Sequence, residues 1–269
     1  MEIQSLAYKT DLIFHRFEGI IINREDYIVI RTPDNPDFYW GNFLLFPHAP
    51  GISDFENWRE IFSKEIGSMP KVKHQTFGWD SPEGILGSTN EFIEKGFRLI
   101  QDVVLTAREV REPPYCNDDV TIRILRTDEE WDLALENQII CRDPGFEEEE
   151  HRKFKTRQAE KYRKMADSGL GDWYGAFLDG RLVADLGIYH DGNIGRYQNV
   201  ETHPGYRRKG IAGTMVFAAG QLAMKKYGLD RLVIVAEENS SPQRVYQSVG
   251  FTQTEKQVGL EWWEGMNEG

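Results

Sequence analysis

Hydrophobic positions in this chain switch repeatedly between the period of a helix and that of a strand, and the switches mark its elements. Apolar triplets at Leu12-Ile13-Phe14 and Ile20-Ile21-Ile22 predict a helix followed by a strand near the start. Tyr27-Ile-Val-Ile-Arg31 and Tyr39-Trp-Gly-Asn-Phe-Leu-Leu-Phe46 are rich in β-branched and aromatic residues, with turn chemistry at Thr32-Pro-Asp-Asn-Pro36 between them. They predict a β-hairpin with a long connection. Phe46-Pro-His-Ala-Pro-Gly51 then breaks the chain before Ser53, an N-cap for a helix with apolar positions at Phe55, Trp58, Ile61, Phe62 and Ile66. A strand over 71–79, a short helix over 90–97 stopped at Gly96, and a strand over 98–105 complete the first half.

The second half opens with a strand at Val120-Thr-Ile-Arg-Ile-Leu-Arg126. Thr127-Asp-Glu-Glu130 follows as a capping box into a helix carrying Trp131, Leu133 and Leu135. A longer helix begins at Phe146-Glu-Glu-Glu-Glu150 and runs to Ser168, acidic at its start and basic at Arg157, Lys161, Arg163 and Lys164, as the helix dipole favours. Glu147 to Glu150 reads as a solvated helix start, with attraction of a cationic acceptor as the alternative. Trp173 to Tyr189 is a hairpin turning at Asp179-Gly180. Gly192 to Val200 is the next strand, and Leu232-Val-Ile-Val-Ala236, apolar without alternation, is one covered on both faces.

The order hairpin, helix, strand, short helix ending in Gly-Phe, strand thus occurs twice, and Gly96-Phe97 answers Gly250-Phe251. The expected fold class is α/β, in the α+β sense of a mixed sheet, built as two tandem copies of one unit. The expected domains are 1–117 and 118–269, joined through the polar, Pro-bearing Arg111-Glu-Pro-Pro-Tyr-Cys-Asn-Asp-Asp119.

Candidate chemistry concentrates in residues 200–216. His203, Pro204 and Gly205 punctuate a turn, and Arg207-x-x-Gly210-x-Ala212 feeds a helix with an apolar stripe at Ile211, Met215, Ala218 and Leu222. Three cations, Arg207, Arg208 and Lys209, sit on this small-residue loop. Exposed amides, the positive end of a helix dipole and side chains as small as Gly210, Ala212 and Gly213 make a site for a phosphate pressed against backbone. Nothing like a P-loop Lys-Ser/Thr follows the glycine.

The segment resembles the acyl-CoA-binding signature of the GNAT superfamily of N-acyltransferases. A second block at the family's spacing supports the resemblance: Val235-Ala-Glu-Glu-Asn239, then Val245-Tyr246 and Gly250-Phe251. It covers residues 118 to 261. The resemblance implies a GNAT-like fold in which two parallel strands splay and the pantetheine arm pairs with backbone at Val200 and Thr202. It places the pyrophosphate on Arg207, Arg208, Lys209, Gly210, Ile211, Ala212 and Gly213, and Asn239 and Tyr246 along the pantetheine. The first half lacks the arginine and the small-residue spacing at 46–51, so it is a degenerate copy, and one acyl-CoA is expected per chain, in the second unit.

The chemistry implied is attack of an amine on the acetyl-CoA thioester, which needs a base, an oxyanion donor and an acid for the thiolate. A backbone N–H near Thr202 serves the oxyanion. Tyr246 serves as the acid, since a phenol is a suitable donor to a thiolate; alone it would read as an amphipathic core tyrosine. Glu201 is the candidate base, although strand alternation turns it away from the face of Val200 and Thr202 unless a bulge intervenes. His203, Glu237 and an ordered water are alternatives. An acetyl-CoA-dependent N-acetyltransferase acting on a primary amine of a small molecule or peptide is expected. The alternative is a non-catalytic acyl-CoA-binding sensor or regulatory module.

Composition narrows the partners. The chain has 269 residues, enough for one large domain or two of ordinary size, and a net charge of -12 that repels nucleic acid and sets off the basic loop. No apolar run approaches membrane-spanning length, and the N-terminus lacks the basic start and apolar run of a signal peptide, so a cytoplasmic protein away from membranes is expected. Cys116 and Cys141 match no metal-ligand spacing, so no metal and two reduced thiols are expected.

Overall fold

The computed structural model describes residues 1–145 and 147–266. The first half contains α1 (Leu6–Glu18), β1 (Ile20–Asn23), β2 (Ile28–Arg31), β3 (Phe43–Phe46), α2 (Asp54–Glu65), β4 (His74–Trp79), α3 (Asn90–Glu94) and β5 (Arg98–Ala107). The second contains β6 (Thr121–Ile124), α4 (Asp128–Ile140), α5 (Glu148–Asp167), β7 (Gly171–Leu178), β8 (Arg181–Asp191), β9 (Ile194–Thr202), α6 (Ile211–Tyr227), β10 (Arg231–Glu237), α7 (Ser241–Ser248) and β11 (Thr252–Trp263). Among the described residues, no helix is long and apolar enough to cross a membrane.

The chain divides into two compact units, Met1–Val104 with Thr254–Gly269, and Leu105–Gln253. Most of β11 therefore lies in the first unit, and the Pro-bearing segment 111–117 in the second, a division different from the one drawn at 117/118 on sequence. In the first unit the strand order is β1-β2-β3-β4-β11-β5, and in the second β10-β9-β8-β7-β6. β3 with β4 and β9 with β10 are parallel, while β1 with β2, β2 with β3, β4 with β11, β6 with β7, β7 with β8 and β8 with β9 are antiparallel. The fold is α/β with mixed sheets, as the repeated pattern predicts.

The helical face of α2 explains the first core. Phe55, Trp58 and Phe62 recur at helical spacing and are buried with Phe46, Phe77, Trp79, Phe92 and Phe97, Trp58 stacking on Phe46 at 3.9 Å between centroids. In the second unit Tyr162 stacks on both Trp173 and Tyr189, at 5.0 and 5.3 Å. The capping box at Thr127 and Glu130 forms as expected, and Asp179 and Gly180 both take positive φ in the hairpin turn.

Several local expectations change. Tyr39–Gly41 is a 3₁₀ turn, so only the second half of the 39–46 run is strand. Ser53 stands at the N-cap of α2 without a side-chain capping bond; Asp54 Oδ2 instead accepts from Gly51 N–H at 2.7 Å. The buried line of α6 is Ile211, Met215, Ala219 and Ala223, with Leu222 exposed. Small residues decide this face, because Gly220 admits the Tyr197 hydroxyl, which donates to the Val216 carbonyl at 2.7 Å. The helix start assigned to Phe146 lies outside the described residues; α5 begins at Glu148 with Glu147 as its cap.

Candidate active site

The site begins where two strands part. The register of β9 and β10 pairs Ile194 with Arg231, Gly195 with Leu232 and Arg196 with Val233, then stops, although β9 continues to Thr202 and β10 to Glu237. Unpaired backbone beyond Arg196 is what an extended amide chain could complete as a missing strand. A groove of about 520 Å³ opens there, lined by Val200, Glu201, Thr202, Tyr206, Arg207, Arg208, Gly210 to Gly213, Ser241, Pro242, Val245 and Tyr246.

A bulge sets the direction of these side chains. Asp185 pairs with Glu201 and Gly187 with Gln198, so β9 holds one residue more than β8 over the same interval. Asn199 takes φ +45° there, a conformation asparagine tolerates better than most residues. The extra residue breaks the alternation, and Val200, Glu201 and Thr202 all line the groove. The condition under which Glu201 could join its neighbours is thus met.

The loop expected to bind an anion is built from backbone. His203 Nδ1 accepts from Gly205 N–H at 3.1 Å, and Pro204–Tyr206 form a 3₁₀ turn. Arg208 and Gly210 take φ of +60° and +76°, turning the chain sharply into α6. Gly210 is the N-cap and has no side chain to accept from the first turn, which leaves those amides directed at the groove. The segment 113–117 backs this loop: Asn117 N–H donates to Thr214 Oγ1 and Asn117 Nδ2 to the Lys209 carbonyl, both at 2.8 Å. A Cβ on Gly210 would stand 2.8 Å from the Tyr115 ring.

Not every expected residue reaches the groove. Lys209 is exposed beside it, its Nζ 5.1 Å from the Tyr206 ring centroid. Arg207 lines the groove, but its Nε donates to the Thr202 carbonyl at 3.0 Å. Asn239 is outside the lining: its N–H donates to Gln243 Oε1 at 2.6 Å, its carbonyl accepts from Arg244, and Ser240 rather than Asn239 caps α7.

Burial tunes the titratable groups. Tyr246 is buried and its phenol is pushed far above its usual range, first by desolvation and then by Glu201, so it stays protonated. Burial raises Glu201, opposed by Lys155 and then Arg207. Asp185, fully buried, is raised to about 7 by desolvation, opposed by donors Asn137 Nδ2 and Gln138 Nε2, both at 2.6 Å, and Trp173 Nε1 at 3.0 Å. The Cys141 thiol, donating to the Thr202 carbonyl at 3.4 Å, is pushed up to about 12 by burial and Glu201. Sequence reasoning missed Asp185, Asn137, Gln138 and Lys155. Their available signal was a pair of amides on the buried face of α4, where apolar residues were expected.

Residues 136–251 match the family model described as acetyltransferase (GNAT) family. Over this segment the chain is similar to the GNAT acetyltransferase family. The match takes in the bulge, the anion loop, α6, β10 and Tyr246. No curated protein sequence matches the chain. Among solved structures, a functionally unknown conserved protein from Staphylococcus epidermidis superposes with TM-score 0.70 at 12% identity, over 92% of this chain and 95% of its own. A GCN5-related N-acetyltransferase from Kribbella flavida superposes with TM-score 0.67 at 13% identity, over 98% of both chains. A tandem GNAT protein from the clavulanic acid biosynthesis pathway gives 0.56 at 11% identity, over 94% of this chain and 87% of its own. Likeness at these identities is one of fold, and it extends the GNAT architecture over both tandem units.

Proposed function

We propose that the chain is an acetyl-CoA-dependent N-acetyltransferase acting on a primary amine of a small molecule or peptide by direct attack. The observation that carries this is the convergence of a parted strand pair, an uncapped helix N-terminus, Glu201 and Tyr246 on one groove. The pyrophosphate would rest on the amides of Gly210 to Gly213 with Arg208 beside them, and Arg207 and Lys209 would add charge at the rim. The pantetheine amides would pair with β9 at Val200 and Thr202. Asn239 would act on the pantetheine through its side-chain amide, since its hydrogen bonds to Gln243 and Arg244 are made by its backbone.

Ionised Glu201 takes a proton from the acceptor ammonium, and the neutral amine attacks the thioester carbonyl. A backbone N–H near Thr202 stabilises the oxyanion. On collapse the C–S bond breaks and Tyr246 donates its proton to the departing thiolate. The extra proton left on the product nitrogen passes to the Tyr246 phenolate and restores the phenol, and Glu201 returns its own proton to solvent, which closes the cycle. Thiol release from acetyl-CoA against a panel of amines tests the proposal. Binding of acetyl-CoA without thiol release for any amine would favour the non-catalytic acyl-CoA-binding module instead.

A further inference from the structure

Asp185 on β8 is a fully buried carboxyl that the mechanism above leaves unused, and its hydrogen bonds lead toward the groove. Its Oδ2 accepts from Asn137 Nδ2 at 2.6 Å, and its Oδ1 from Trp173 Nε1 at 3.0 Å and from Gln138 Nε2 at 2.6 Å. Gln138 is the link. Buried on α4, it gives the same Nε2 to the Asn199 carbonyl at 3.0 Å, while its Oε1 accepts from Lys155 Nζ at 3.1 Å. Acceptors on one side and a donor on the other leave the amide a single orientation. Asn199 is held a second time through its side chain, whose Nδ2 donates to Gln158 Oε1 at 2.6 Å.

What this clamp holds is a choice of register. With the bulge, Glu201 stands across from Asp185; counted regularly from the pair Gly187 and Gln198, Val200 would stand there and Glu201 would face Ala184. One residue therefore decides which face Glu201 takes. The bulged register sets a carboxyl opposite a carboxyl and asks Asn199 for φ +45°, neither of which a strand adopts for its own sake. Support has to come from outside the strand. We propose that Gln138 is a positioning residue for acyl transfer: its amide, aimed by Asp185, holds the bulge at Asn199 and so keeps Glu201 on the groove face of β9. This rests on the assignment of Glu201 as base. Gln138 is not among the residues lining the groove, so its effect on the reaction passes through β9.

Two measurements on the full chain test this. Asparagine-labelled protein, with the Asn199 signal assigned by its loss in Asn199→Asp, reports the backbone angle through the α-carbon shift and the coupling between amide and α proton. Gln138→Met, which keeps the length and removes the donor, should move that signal from positive φ to extended backbone. Gln138→Glu keeps the acceptor for Lys155, but its carboxylate has no proton to give Asn199; it should do the same and serves if the Met variant does not fold. An unchanged Asn199 signal in the folded variants overturns the proposal. The second measurement is thiol release in a double-mutant cycle. Gln138→Met should lower turnover on the order of 10- to 100-fold in the wild-type background and have little effect in Glu201→Gln, because the side chain it positions is gone. Losses that multiply overturn the proposal, since Gln138 would then act on the fold at large and not through Glu201. Wild-type turnover in Glu201→Gln alone would instead remove the base, and the Asn199 signal would then decide by itself whether Gln138 holds the register.

Discussion

The two units contain the same strand, helix, parallel strand motif and finish it differently. In the first, Leu44, Leu45 and Phe46 pair with Phe77, Gly78 and Trp79 to the ends of both strands, and Asp80 N–H continues the ladder to the Phe46 carbonyl at 2.9 Å. No edge is left for a ligand to complete. The turn that follows is also self-satisfied: Pro47 and Pro50 have no N–H, the Pro50 carbonyl accepts from Ser88, and the Gly51 amide is given to Asp54. In the second unit the pairing of β9 with β10 ends at Arg196, and Gly210 opens α6 with no acceptor of its own. One motif closes on itself and the other leaves strand edge and helix amides open at the groove. Architecture is shared, so function must be sought in how each turn disposes of its backbone donors.

The largest effect should come from putting an acid where the second unit has left space. Ala212→Glu places a carboxylate in the first turn of α6, on the groove, and should weaken CoA binding by roughly 100-fold or more through repulsion and exclusion. Gly210→Glu should do the same, with a folding cost from φ +76° and from Tyr115. His48→Glu, at the corresponding turn of the first unit, should leave CoA binding unchanged. Calorimetry of the full chain should give one site; two equivalent sites would dissolve the contrast between the units.

Tyr246→Phe keeps the buried ring and removes only the proton. Turnover should fall on the order of 10- to 1000-fold with little change in CoA affinity. Near wild-type turnover would return Tyr246 to a purely packing role. The comparison would then rest on binding alone.

The contrast is partly legible in the sequence alone. Glycine and arginine spacing at 207–212, against the two prolines of 46–51, distinguishes an open turn from a closed one because Pro lacks the donor and Gly lacks the obstacle. Repeated Gly-Phe endings likewise exposed the tandem plan. What stayed hidden depends on long-range contacts. The bulge at Asn199 is held by Gln138 and Gln158 from two helices, and no local pattern at 194–202 announces it. The rotation of α6 toward Ala219 and Ala223 follows from Tyr197 reaching Gly220. Most of β11 joins β4, a pairing between residues far apart in sequence, so boundary reasoning at a Pro-bearing segment could not locate it.

Buried carboxylates give the units opposite responses to pH. Glu65 in the first unit is held below the usual carboxylate range by Arg24, with Tyr27 and Arg31 adding to it, so its contribution is present above its unfolded value and lost as pH falls through the folded one. Asp185 in the second is raised to about 7, so its contribution is full below its unfolded value near 4 and lost as pH rises through about 7. Between pH 4 and 8, Asp185→Asn should flatten a decline in thermal stability that amounts to several degrees in the wild type. Equal slopes for the variant and the wild type would mean that Asp185 is ionised throughout, held so by Asn137, Gln138 and Trp173.

The smallest effect should come from the closure of the first unit. Trp79 ends β4 fully buried, and its Nε1 donates to the Ile85 carbonyl at 2.6 Å, fastening the following turn beside the paired strand ends. Trp79→Phe keeps an aromatic ring against Trp58 and removes this donor along with part of the ring volume. Ile85 is exposed, so its carbonyl can turn to water, and the hydrogen bond itself should cost only about 1 kcal/mol. With the smaller ring included, melting should fall by roughly 3–6 °C in a differential scan. CoA stoichiometry should stay at one, because the pairing of Phe46 with Trp79 is made by backbone and survives the substitution. A second CoA site in Trp79→Phe would show that the fastened turn, and not the strand pairing beneath it, is what closes the first unit.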